Sequence, residues 1–249
     1  MAEPTSSART EIARMTRRRL LVGAAAGLAG FGAFRWLKTR SLDDGVPWPL
    51  RRAHQFNERV GRGLFSDGQL APEFPIERAG EPRVNGWIGY SDEQPVEAGW
   101  VVTVHRPDQP KIVVPLAKIA ALPRVDSVIE FKCVEGWSQI SAWSGFRLRD
   151  FFTAFQLLDG PAYRFVQLAT HDGTYQSALD MPSALHPQTI LADRLNGQPL
   201  TRGHGAPLRL VVPVKYGIKN IKWLSTIRLS NDRPTDYWTE RGYDWYAGL

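Results

Sequence analysis

The chain has 249 residues, 43% of them hydrophobic, enough for one well-buried domain and short for two full ones. Its formal charge of +6 sits in the first forty residues, which hold eight Arg or Lys against two acids; the remainder balances, so no basic footprint for a nucleic acid is left. The single cysteine excludes an internal disulfide and leaves Cys133 as a free thiol, a buried hydrophobe or a metal ligand.

From the N-terminus, a basic stretch passes into the apolar run Leu20 to Phe34, which has the length of a signal h-region and is short of the roughly 20 residues that span a bilayer. Thr16-Arg17-Arg18-Arg19-Leu20-Leu21 resembles the twin-arginine export signal, with Leu20 where Phe is usual. The resemblance implies a protein folded around a cofactor before export. Arg35-Trp36-Leu37-Lys38 reads as an interfacial anchor. Residues 1–40 are therefore expected to be an export signal or membrane anchor, and the product periplasmic or tethered facing the periplasm. Residues 41–82, rich in Arg, Gly and Pro with little periodicity, read as an N-terminal arm.

The pattern turns β-like from Val84, with short strands at 99–105 and 111–114 and a helical turn over 115–122 that opens on proline. Val125 to Cys133 is a mostly alternating strand that Glu135-Gly136 breaks, leaving Cys133 at its end. Phe146 to Leu158 has a helical apolar pattern, Ala162 to Thr170 alternates, Asn196-Gly197 marks a turn between extended pieces, and 208–214 and 221–229 finish as strands. Strands outnumber irregularly placed helices, so the class is α+β, with mixed sheets and short interspersed helices, in a catalytic domain over 83–249.

A lone Cys on an apolar strand is either a small core residue or a ligand, and a strand end favours the display of a functional side chain. Phe131-Lys132-Cys133-Val134-Glu135-Gly136-Trp137-Ser138, Trp143 and Leu148-Arg149-Asp150-Phe151 together resemble the sulfite-oxidase-type molybdopterin-binding oxidoreductases. Asn196 to Leu200, His204 to Pro213, Tyr216 to Leu224, Asp236-Tyr237-Trp238 and Gly242-Tyr243 extend the likeness over about residues 80–249. The resemblance implies a Mo-molybdopterin cofactor, one pterin per molybdenum, with the Cys133 thiolate on the metal as the catalytic ligand. It also implies cofactor contacts from Thr170, His204, Arg209, Asn220, Ile221 and Lys222. A planar guanidinium at Arg209 suits a phosphate. His54-Gln55-Phe56-Asn57-Glu58 resembles the Asn-x-Phe-Tyr-Glu segment of bacterial protein-methionine-sulfoxide reductase catalytic subunits, with His54 for Asn and Asn57 for Tyr; this adds His54, Asn57 and Glu58 as cofactor contacts. Trp137 and Trp143 are candidates to shape a substrate funnel, whereas His105, His171 and His186 read as structural, no His pair having zinc-site spacing.

The expected reaction is oxygen-atom transfer, reducing a small-molecule or protein sulfoxide with electrons from a membrane-bound haem or quinone-linked subunit, by a monomeric catalytic subunit. The alternative is a sulfite dehydrogenase feeding a soluble cytochrome. Against it, Val134-Glu135-Gly136-Trp137 has no cation after the cysteine and Glu135 repels a dianion, although Arg147 or Arg149 would substitute. A non-catalytic exported interaction module is the third reading.

Overall fold

The computed structural model describes residues 6–43, 45–91, 97–160 and 162–249. The chain divides into two compact units, Met1–Ala53 and His54–Leu249.

The first unit is dominated by helix α1, Ser6–Lys38. Its segment Arg14–Lys38 has a mean hydropathy of 1.5, is long enough to cross a bilayer, and buries nothing. The helix ends where Thr39 Oγ1 (2.8 Å) and Arg40 Nε (3.1 Å) both donate to the Trp36 carbonyl, satisfying an acceptor that has no intrahelical partner. Strands β1, Leu42–Asp43, and β2, Val46–Pro47, pair antiparallel before helix α2, Trp48–Leu64, begins.

Sequence periodicity misses α2 because the helix is patterned inside out. Over residues 54–64 the one buried side chain is the charged Glu58, and apolar Phe56, Val60 and Leu64 are exposed. The arm expected over 41–82 thus contains a 17-residue helix, and of the stretch expected to be β-like from Val84, residues 84–91 are irregular and Glu97–Gly99 is a 3-10 turn before the first strand at Val101.

The second unit then runs β3 (Val101–His105), β4 (Ile112–Pro115), α3 (Leu116–Ala120), β5 (Arg124–Lys132), β6 (Ser138–Arg147), α4 (Leu148–Ala154), β7 (Phe165–Thr170) and β8 (Gln176–Asp180). It continues through α5 (Met181–Ala184), β9 (Ile190–Leu195), β10 (Gln198–Pro199), β11 (Arg209–Val211) and β12 (Leu224–Ser230). One sheet has the order β4-β3-β12-β7-β8, antiparallel except for the β3–β12 pair. The other has the order β10-β9-β6-β5, with β11 sharing the β10 edge of β9. The α+β class and the mixed sheets agree with expectation. The helix expected to start at Phe146 starts instead at Leu148, because Phe146 completes strand β6 against Leu191.

The main core lies between the two sheets, with Val102, Val104, Val166, Leu168 and Ile227 from one, Phe146, Leu191 and Leu210 from the other, and Phe151 and Phe152 of α4 beside them. The opposite face of the β5–β6–β9–β11 sheet carries a second cluster, Ile129, Trp143, Ile190, Ala192 and Val211. Strands β6 and β9 come closest at a register shift beside Gly145, where an added Cβ would lie 2.1 Å from the Leu191 carbonyl oxygen. Gly145→Ala is expected to destabilise the fold by about 3 kcal/mol, since backbone on the far side cannot move aside as a side chain would. Urea unfolding within ~0.5 kcal/mol of the parent would contradict that packing.

Candidate active site

The β5–β6 hairpin places Cys133. Its amide donates to the Trp137 carbonyl (2.9 Å), Gly136 N donates back to the Cys133 carbonyl (3.2 Å), and Gly136 takes the left-handed conformation that closes such a three-residue loop. Strand periodicity then aligns one face: Ile129, Phe131 and Cys133 along β5, facing Gln139, Ser141 and Trp143 along β6. On β11 the same alternation sends Leu210 to the main core and puts Arg209 with Val211 on the cluster side. The Arg209 guanidinium lies 4.7 Å from the Trp143 ring centre and 6.0 Å from that of Phe131.

That face floors a cavity of about 290 Å³, walled by the 82–88 segment, the turn at Gly203-His204, the 217–220 turn, and Tyr175, Trp238 and Tyr243. Five of the expected site residues line it: Cys133, His204, Arg209, Asn220 and Lys222, together with Trp137 and Trp143. The others lie elsewhere. Ile221 is packed in the main core. Thr170 is buried beneath the cavity walls, its hydroxyl engaged with Asp172 (2.6 Å) and with the Tyr175 backbone. His54 and Glu58 sit on α2, paired with Asp244 and with Arg62 and Arg233 respectively, and Asn57 is exposed.

The stretch that does cover the cavity is Pro82, Arg83, Asn85, Gly86 and Ile88, whose signal in the sequence is the Asn85-Gly86 turn pair just before the tryptophan. Asn85 Nδ2 stands 4.0 Å from Cys133 Sγ and 3.4 Å from Glu135 Oε2, and Trp137 Nε1 donates to the same carboxylate oxygen at 2.9 Å.

Arg209 is 6% exposed, and among the described residues no carboxylate lies within ion-pair distance of it. Its Nη1 and Nη2 donate to the carbonyls of His204 (2.9 Å) and Asn220 (3.3 Å), while Nε is buried without a partner, as is Trp143 Nε1. Burial lowers the guanidinium to about 10, so it stays charged at neutral pH. Burial, then the Arg209 charge, keeps His204 below the usual histidine range; its Nδ1 shares a 2.8 Å hydrogen bond with Thr201 Oγ1.

Lys222 spends its ammonium on three carbonyls, of Asn85 (2.8 Å), Gly86 (2.5 Å) and Gly203 (2.9 Å), and so ties the 82–88 segment to the neighbouring turn. Asn220 is likewise an organiser. Its Oδ1 accepts from Val212 N (2.6 Å) and its Nδ2 donates to the Tyr216 carbonyl (3.1 Å), locking the 216–220 turn. Burial raises the Cys133 thiol, with the Glu135 charge adding to it and the backbone amides of Glu135 and Val134 opposing. A thiolate here needs a cation.

Burial lowers both Lys215 and Lys222 to about 7. Between pH 7 and the ordinary lysine value near 10.5, the unfolded chain holds protons that these two groups have released on folding, so stability rises with pH there. For protein prepared without cofactor, the urea midpoint is expected to be higher at pH 9 than at pH 7. A flat profile across that window would mean that the two amines remain charged in the fold.

Residues 90–238 match the oxidoreductase molybdopterin binding domain family. A putative protein-methionine-sulfoxide reductase subunit, YedZ1 of Azospira oryzae, is 36% identical over 210 residues, covering 83% of this chain and 78% of that protein. The chain belongs to this family and is a molybdopterin-dependent oxidoreductase. The protein-methionine-sulfoxide reductase catalytic subunit MsrP of Ralstonia nicotianae is 28% identical over 246 residues, covering 89% of this chain and 71% of that one. Among solved structures, the sulfane dehydrogenase SoxCD of Paracoccus pantotrophus aligns with a TM-score of 0.49 and 17% identity over 56% of this chain and 40% of that one.

The residues present fit a molybdenum-pterin cofactor. A soft sulfur ligand stands in the cavity, an unpaired buried guanidinium lines the same space, and two buried N–H groups there lack acceptors. Among the described residues no cluster of three His, Cys, Asp or Glu side chains is placed to hold a metal, so the protein would offer Cys133 and the cofactor its own sulfurs.

Proposed function

We propose that the chain catalyses oxygen-atom transfer in the reductive direction, converting a sulfoxide to a thioether and water with two electrons and two protons. The fixed Glu135 carboxylate carries this reading. It shares the Asn85 amide with Cys133, beside Phe131, Trp137, Trp143, Trp238 and Tyr243, in a cavity whose lining also carries the cations Arg83, Arg209 and Lys222. An acid fixed beside the Cys133 thiol, among aromatic rings, favours a neutral, polarisable substrate at that end of the cavity and opposes sulfite there. Cys133 would hold the metal, Arg209 with His204 the anionic part of the cofactor, and Lys222 and Asn220 would brace the surrounding backbone. When bound, the cofactor supplies the two-electron oxygen-atom chemistry that side chains cannot. The relatives' names, methionine-sulfoxide reductase subunits, support a sulfoxide substrate. The twin-arginine-like string and the apolar α1 support export and a membrane-side electron donor.

Sulfite oxidation is the runner-up. It loses Arg147 and Arg149, which lie outside the cavity, Arg147 near Asp150 and Arg149 paired with Asp67. Arg83, at the rim and 4.9 Å from the Trp137 ring centre, is the observation in its favour. The test is to compare kcat/KM of the loaded enzyme for methionine sulfoxide, with a low-potential donor, against sulfite with a cytochrome acceptor. Sulfoxide turnover should dominate, and Glu135→Gln should tighten sulfite binding by about tenfold. Faster turnover of sulfite than of sulfoxide would reverse the assignment.

A further inference from the structure

Helix α2 turns an apolar face to the outside over its C-terminal part. Over residues 54–64 this helix has two sides. Inward, Glu58 is ion-paired with Arg62 and Arg233, each at 2.9 Å, and Gly61 lies so close to Tyr246 that an added Cβ would fall 2.6 Å from its ring. Outward, Phe56, Val60 and Leu64 follow one another at four-residue spacing, 59%, 45% and 68% exposed, with Arg59 exposed beside them. Glu58 is the helix's only acid and it is buried, so the outward face offers apolar and cationic groups and no carboxylate.

A stripe of three large apolar side chains on a helix whose one acid is turned inward costs solubility without contributing to the core. The geometry points to an anionic phospholipid surface as its partner, with the three apolar side chains in the interface and Arg59 among headgroup phosphates. Chain continuity supports that occupant: the bilayer-length apolar segment of α1 ends at Lys38, and α2 begins at Trp48, no more than about 35 Å of extended chain away. A basic, amphipathic, carboxylate-free face has the composition of helices that lie in the headgroup region.

The test uses the full chain, loaded with cofactor and reconstituted into phosphatidylethanolamine–phosphatidylglycerol vesicles. Photoreactive p-benzoylphenylalanine would replace Phe56, Val60 or, as a control, Val113. Val113 is 49% exposed on β4, the sheet edge farthest from β8, whose Asp180 adjoins Arg62. Molybdenum content checks that each variant has folded. Phospholipid adducts at 56 and 60 should exceed those at 113 several-fold, and Arg59→Glu in the Phe56→p-benzoylphenylalanine background should cut them about fivefold. Equal lipid labelling at all three positions, or adducts at 56 and 60 only to another protein or to a second copy of this chain, would overturn the proposal.

Discussion

Replacing Cys133 by alanine is expected to lower turnover of the loaded enzyme by about a thousandfold or more, and molybdenum content to well below one per chain. The expectation follows from how the site is built. Cys133 is the single cysteine, and among the described residues no other His, Cys, Asp or Glu cluster stands ready to replace it as ligand. Burial and the neighbouring Glu135 hold the free thiol protonated, so the thiolate exists only by virtue of the metal. The hairpin turn is held by backbone bonds and alanine removes a single sulfur at the cavity wall, so thermal unfolding of the cofactor-free variant should stay within ~2 °C of the parent. Elemental analysis and a melting curve on one preparation decide the matter. Parental metal content and turnover in the alanine variant would remove Cys133 from the chemistry altogether.

The second large effect is expected at Arg209, and its diagnostic feature is a split between binding and stability. An isolated buried cation is costly, so removing it relieves the cofactor-free fold. The same substitution strips donors from the carbonyls of His204 and Asn220, a loss of similar size. Arg209→Met should therefore change cofactor-free stability by less than about 2 kcal/mol. Cofactor retention during dialysis should meanwhile fall roughly a hundredfold, the worth of a bidentate charge-assisted contact with a phosphate. Pterin fluorescence after dialysis reads one quantity and urea unfolding the other. A variant that unfolds readily yet keeps its pterin would make Arg209 a structural residue.

These two residues were picked out through the family resemblance: taken alone, Cys133 was as open to a core role as to a ligand role, and Arg209 was a charge on a strand. Arg209 interrupts a run from Leu208 to Val212, and Cys133 ends a strand where an acid–glycine pair forces a turn. His204, Asn220 and Lys222 were found through the same family pattern, but their work differs from what the pattern implies. Lys222 and Asn220 give their polar groups to backbone, a fact of geometry that no spacing encodes.

The N-terminal residues expected at the site do not line the cavity. A five-residue likeness pointed to 54–58, whereas the structure lays 82–88 over the cavity, because an irregular segment held by Lys222 leaves no periodic trace. Helix α2 escaped for the opposite reason, having the period of a helix with its polarity reversed. Strand β6 was partly absorbed into a helical pattern, since Phe146, Leu148, Phe151 and Phe152 share one core across the strand-to-helix junction.

By itself the sequence determined the α+β class, the order of most strands, the concentration of charge before residue 41 and, through its family resemblance, a cysteine and an arginine that line one cavity. Local patterning carries the class and the strands, because burial on one face or two leaves its period in the residues. Only the tertiary structure decided which loop closes the cavity, that Glu135 shares an amide with Cys133, and that Arg209 has no acid to pair with. Those facts depend on where distant segments meet, and the free energy of such meetings is spread over many contacts that no single stretch of chain records.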